Sequence, residues 1–105
     1  MAWVIEYFKE AQKDLAKIEY SQKLQVLKAI EKVSQNPLPD YEGGYGKPLG
    51  NNDTTQLAGY YKIKLLKLGI RILYGLVKED ELMKIVVISV REDEAVYKLA
   101  DKRIK

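Results

Sequence analysis

The sequence predicts an α+β domain: a small, curved, mainly antiparallel sheet with a helical hairpin near its start and one helix at its end. Three observations predict it. Apolar residues follow helical spacing from Phe8 to Val33, strand-like alternation dominates Tyr61 to Val90, and helical spacing returns from Asp93. Strands gathered into one run, rather than alternating with helices, favour antiparallel pairing over a parallel sheet. A chain of 105 residues without an internal repeat or low-complexity tract fits one domain spanning 1–105.

The elements follow in order as β-α-α-β-β-β-α. Trp3, Ile5 and Tyr7 alternate with Val4 and Glu6, so residues 2–7 read as a short strand. Phe8, Ala11, Leu15 and Ile18 then take helical spacing, with charged residues on the rest of the wheel. Ser21 is the expected N-cap of a second helix, whose apolar stripe reads Leu24, Val26, Leu27, Ile30 and Val33. Pro37 and Pro39 end it, because proline lacks the N–H that the helical ladder needs. The short link between the two helices predicts an antiparallel hairpin. Residues 36–55 read as a long loop that holds all three prolines and four of the seven glycines. Its glycines lack the spacing and the following Lys-Ser/Thr of a phosphate-binding loop.

Beyond the loop, Tyr61 to Leu65 alternates cleanly, and Ile70 to Tyr74 alternates with one slip at Leu73. Gly69 marks the turn between them. Ile85 to Val90 is apolar except for Ser89, which fits an interior strand buried on both faces. Lys78 to Glu81 is the polar turn before it. From Asp93 a helix places Val96, Leu99 and Ala100 on one side. Its basic end, Lys102-Arg103-Ile104-Lys105, complements the negative pole of the helix dipole.

Composition excludes several chemistries. The chain has no Cys and no His. Disulfides, thiolate nucleophiles, imidazole bases and His- or Cys-ligated metals are therefore ruled out. Neither a metal nor a cofactor is expected. No stretch approaches the ~18 apolar residues of a membrane span, and nothing at the N-terminus resembles an export signal. A cytoplasmic protein with no membrane partner is the expectation. The net charge of +3 is unevenly spread. Residues 1–42 carry −1, residues 43–77 carry +4 and residues 78–105 carry none. A basic field confined to the middle third suits a polyanion better than a small neutral ligand, although a merely solvated surface gives the same count.

Strand geometry sharpens this. Lys62 and Lys64 share one face of their strand, ~6.5 Å apart, while Ile63 and Leu65 share the other. If Ile63 and Leu65 face the core together with Ile70, Ile72 and Tyr74, then Arg71 and Leu73 must stand on the lysine face. A turn centred on Lys67-Leu68 puts Arg71 directly across from Lys64. Arg91 is the cation placed where the apolar strand runs out. Such a cluster can grip phosphates. A lysine relieved of its proton by like-charged neighbours can act as a general base, and an arginine can stabilise developing negative charge. The same residues also make an ordinary solvated strand face.

Leu57-Ala58-Gly59-Tyr60-Tyr61-Lys62-Ile63-Lys64-Leu65, Gly69-Ile70-Arg71-Ile72-Leu73-Tyr74, Ile88-Ser89-Val90-Arg91 and Val96-Tyr97 together resemble the RelE/ParE toxin superfamily. The set is most similar to its RelE-type ribosome-dependent mRNA endoribonucleases. The resemblance extends over nearly the whole chain, including Lys47-Pro48-Leu49. The stretch between Val90 and Tyr97 is shorter and more acidic than in strongly basic members. The resemblance implies a RelE-like fold and the toxin of a type II toxin–antitoxin pair, cutting mRNA in the ribosomal A site without a metal. It implies Lys62, Lys64, Arg71, Arg91 and Tyr97 as the active-site set, with Lys64 as general base and Arg91 assisting the leaving oxygen. Lys62 and Arg71 would hold the phosphate and Tyr97 would stack on a base. Lys47 and Lys67 are the expected further RNA contacts. The implied partners are a RelB-like antitoxin, the ribosome with its mRNA, and operator DNA bound only by the toxin–antitoxin complex. A ParE-like topoisomerase inhibitor and an inactive, antitoxin-binding relative are the alternatives on the same fold.

Overall fold

A computed structural model of the chain describes residues 2–49 and 59–104. Five strands form one open sheet: β1 (Val4–Tyr7), β2 (Lys47–Pro48), β3 (Tyr60–Leu65), β4 (Ile70–Val77) and β5 (Leu82–Ser89). Their spatial order is β1-β5-β4-β3-β2. β1 runs parallel to β5, and the other three pairings are antiparallel. The helices are α1 (Lys9–Ala16), α2 (Tyr20–Ser34) and α3 (Asp93–Ile104). The α+β expectation holds, with one more strand than the sequence predicts. That strand, β2, is two residues long and lies inside the segment read as loop. Its Pro48 is tolerated because β2 is an edge.

The helices cover both faces. On one face α1 and α2 bury Ala11, Val26, Ile30 and Val33 against Ile63, Ile70, Ile72, Tyr74, Met83, Ile85 and Ile88. On the other, Val96 and Ala100 of α3 pack on Leu73, Val86 and Val87. The lysine face is therefore shared with α3, and is not open along its whole length. This accounts for the slip at Leu73: it does point to the face of Arg71, where α3 buries it to 1% exposure. It also explains why β5 is apolar on both sides, as expected for an interior strand.

A β-bulge breaks the register between β4 and β5. Leu73 pairs with Val87 and Tyr74 with Ile85, so Val86 is the extra residue, and Val86 and Val87 both join the α3 core. Beyond Tyr7, β1 no longer covers the outer edge of β5. An ion pair from two helices takes over. The Asp14 carboxylate on α1 accepts the Ile88 N–H at 3.1 Å. Arg103 on α3 donates twice to that carboxylate, at 2.7 and 3.1 Å, and once to the Val86 carbonyl at 2.9 Å. Arg103 thus does more than complement a helix dipole: it ties α1, β5 and α3 together.

Two other expectations are corrected. Ser21 does not cap α2, which starts at Tyr20 after Glu19 and has no side-chain cap. Leu24 and Leu27 stay 44% and 37% exposed, because the stripe that meets the sheet is Val26, Ile30 and Val33. The first part of the predicted loop is also ordered by its own backbone. Tyr45 N–H donates to Asn36 O, Gly46 N–H to Leu38 O and Asp40 N–H to Gly46 O, at 2.8–3.0 Å. The buried Tyr74 hydroxyl pins it by donating to Pro37 O at 2.9 Å. Gly46 allows this approach, since a Cβ there would meet the Tyr74 hydroxyl. Burial pushes the Tyr74 phenol well above its ordinary value, with the neighbouring Tyr61 adding to the rise. Residues 50–58, which include Gly50, Leu57 and Ala58, lie outside the described residues.

Candidate functional site

The register of the β3–β4 hairpin builds the site. Leu65 pairs with Ile70, so Lys64 pairs with Arg71 and Lys62 with Leu73. Directly opposed residues on antiparallel strands point to the same face, with Cβ atoms ~5 Å apart. The sequence-derived register is therefore the observed one, and Lys62, Lys64 and Arg71 share a face. All three are half-buried. Lys47 pairs with Lys62 across the edge strand, which extends the basic row by one residue. Lys67 lies apart from the row, exposed in the hairpin turn.

Two further contacts draw in the ends of the set. Tyr97 on α3 reaches over the sheet, and its hydroxyl accepts a hydrogen bond from Lys62 Nζ at 2.9 Å. The ammonium also lies 5.7 Å from the centre of the Tyr97 ring, within cation–π range. α3 holds Tyr97 there because Val96 and Ala100 anchor the helix on β4 and β5. At the other end Arg71 Nη1 donates to the backbone carbonyl of Arg91 at 2.9 Å. Arg91 is exposed on the bend between β5 and α3. Five residues named from the sequence thus form two linked groups, Lys62 with Tyr97 and Lys64 with Arg71 and Arg91.

Ser89 also belongs to this neighbourhood, although the sequence marked it only as a break in an apolar run. It pairs directly with Arg71, and its Oγ accepts the Arg91 N–H at 3.1 Å.

A face of ammonium and guanidinium groups can bind phosphate. The guanidinium presents planar paired donors and stays charged, whereas an ammonium is a compact point charge that can also exchange a proton. The row from Lys47 through Lys62, with Lys64 and Arg71 beside it, gathers four cations that can attract a polyanion. An adjoining tyrosine offers a flat surface for a base. Among the described residues, no group of three or more acidic side chains that could hold a metal ion occurs, and no helix is long and apolar enough to cross a membrane.

No family profile matches the chain. It is 28% identical over 106 residues to an Escherichia coli protein described as RelE-like toxin, and the match covers the whole of both chains. A variant of the E. coli toxin RelE in the free state shares the fold with a TM-score of 0.76 and 27% identity, again over all of both chains. RelE in complex with a peptide of the antitoxin RelB gives 0.71 and 25%, with equally full coverage. The RelBE2 toxin–antitoxin complex of Mycobacterium tuberculosis, at 24% identity, matches over 87% of this chain with a TM-score of 0.69 and supports the fold.

Proposed function

We propose that this chain, which is of the RelE type in sequence and fold, is a toxin that cuts mRNA in the A site of the ribosome. The observation that carries the reading is the Lys64–Arg71 cross-strand pair, flanked on the same face by Lys62 and Lys47 and joined to Arg91. In the proposed reaction the 2′-hydroxyl of a nucleotide attacks the adjacent phosphorus. Lys64 takes the hydroxyl proton as general base. The bond from phosphorus to the 5′-oxygen breaks, Arg91 donates a hydrogen bond to the departing oxygen, and that oxygen takes a proton from solvent water to become the 5′-hydroxyl. Lys62 and Arg71 hold the phosphate and stabilise its added charge. The products are a 2′,3′-cyclic phosphate and a 5′-hydroxyl, and no metal is required. Tyr97 stacks on and orients a base, and Lys47 and Lys67 contact the RNA backbone.

Lysines and arginines are poorly tuned for acid–base work alone. Alignment of the attacking oxygen with phosphorus by a large partner can contribute ~7–11 kcal/mol to lowering such a barrier. Hence purified protein cuts mRNA in ribosome complexes and leaves bare mRNA nearly intact. Equal cleavage of both contradicts the reading. Induction of Lys64→Ala or Arg71→Ala leaves cells growing. Toxicity retained in both variants removes the catalytic assignment and favours an inhibitor without nuclease activity. The solved RelE–RelB complexes support a RelB-like antitoxin as partner. Binding of operator DNA by the pair is a further part of the proposal. A disordered antitoxin segment can cover the basic face or displace α3.

A further inference from the structure

β5 ends on a polar residue after the apolar run from Ile85 to Ile88, and that residue lies beside the site. Ser89 pairs with Arg71. The two side chains hold the same residue from both ends of its backbone. Ser89 Oγ accepts the Arg91 N–H at 3.1 Å, and Arg71 Nη1 donates to the Arg91 carbonyl at 2.9 Å. Arg91 itself is exposed and stands on a bend, where neither the β5 ladder nor the α3 helix fixes it. The first helical bond at that end of α3 runs from Val96 N–H to Glu92 O, one residue later. An exposed bend residue ordinarily keeps much of its backbone freedom. The two hydrogen bonds remove that freedom and fix the point from which the long arginine side chain swings.

We infer that Ser89 is a positioning residue for the cleavage proposed above, acting with Arg71 to set the backbone of Arg91. The inference rests on that reading. Ser89 touches no reacting atom. Its hydroxyl accepts the Arg91 N–H, and threonine supplies the same group while alanine does not. Arg71 gains a second duty, because a guanidinium carries five N–H donors and the Arg91 carbonyl occupies one of them.

The test uses the full chain on ribosomes programmed with a defined mRNA, under single-turnover conditions. Ser89→Ala lowers the maximal cleavage rate by roughly 5- to 10-fold, the worth of one hydrogen bond, and leaves the half-saturating toxin concentration unchanged. Ser89→Thr stays within about 2-fold of the parent. In the free protein, the backbone 15N order parameter of Arg91 falls in Ser89→Ala and is retained in Ser89→Thr. A Ser89→Ala protein that cuts at the parental rate overturns the inference, and so does one whose loss appears only as weaker ribosome binding. If the unsubstituted chain fails to cut ribosome-bound mRNA, the parent reading falls and takes this one with it, an outcome distinct from a silent serine.

Discussion

The Asp14–Arg103 pair is the most exposed to test of the structural ties, because 89 positions of chain separate two groups that meet at 2.7 Å. Consider Arg103→Met, which keeps the aliphatic bulk and removes the guanidinium. Asp14 then retains only the Ile88 N–H from the described network, and the Val86 carbonyl at the bulge loses the Arg103 donor. The side chains are 12% and 17% exposed, so water compensates little. Removing one partner of a buried pair costs about 3–5 kcal/mol, and the residual exposure puts this case near about 3 kcal/mol. That is a large share of the roughly 5–15 kcal/mol that holds a domain together. Urea unfolding with a slope of roughly 1.5 kcal/mol/M converts it to a midpoint about 2 M lower. Asp14→Asn keeps an acceptor for Ile88 but loses the charge. The double variant loses less than the sum of the singles by at least ~1 kcal/mol, since the second change removes a pair already broken. A fall of under ~0.5 M for Arg103→Met equals the worth of a surface ion pair and refutes the reasoning.

Three further outcomes follow from the geometry. Tyr74→Phe loses the bond to Pro37 O and lowers stability by about 1–2 kcal/mol at neutral pH, read by urea midpoints. The Tyr74 phenol is raised above 10.0 in the fold, so the folded chain keeps a proton that the unfolded chain releases. Its stabilising contribution is complete below pH 10, declines as pH rises beyond that, and makes the decline shallower in Tyr74→Phe. Gly46→Ala pushes a methyl group onto the Tyr74 hydroxyl, and its cost by the same measurement is smaller in a Tyr74→Phe background, where that oxygen is gone. Tyr97→Phe keeps the ring and drops the Lys62 bond, slowing single-turnover cleavage by about 5-fold, whereas Tyr97→Ala also loses the stacking surface and slows it by about 10- to 100-fold. Equal losses in the two variants contradict a stacking role.

The features legible in the sequence were those set by local period. The two-residue repeat of β3 and β4, with a turn at Gly69, was enough to place Lys64 opposite Arg71, because a slip of one residue exposes Ile63 and Ile72. Features set by distant contacts were not legible. Leu73 looked like an error of alternation until α3 covered the lysine face. β2 is too short to show a period, so the pairing of Lys47 with Lys62 was invisible although Lys47 itself was named. Leu24 and Leu27 fit a helical stripe as well as Val26 and Ile30 do, and only the placement of the sheet decides between them. Arg103 looked like a dipole partner because its carboxylate comes from α1. Ser89 signalled itself as a lone polar residue, but its partner Arg91 N–H required the bend after β5.

Mapping mRNA ends in stalled ribosome complexes, with the parent chain and Lys64→Ala side by side, bears most directly on the claim that this cationic face breaks an RNA backbone. The account predicts one break within the A-site codon, a 5′-hydroxyl on the downstream fragment, and a rate at least ~100-fold lower in Lys64→Ala. Unbroken mRNA with the parent chain, or equal breakage by Lys64→Ala, contradicts it.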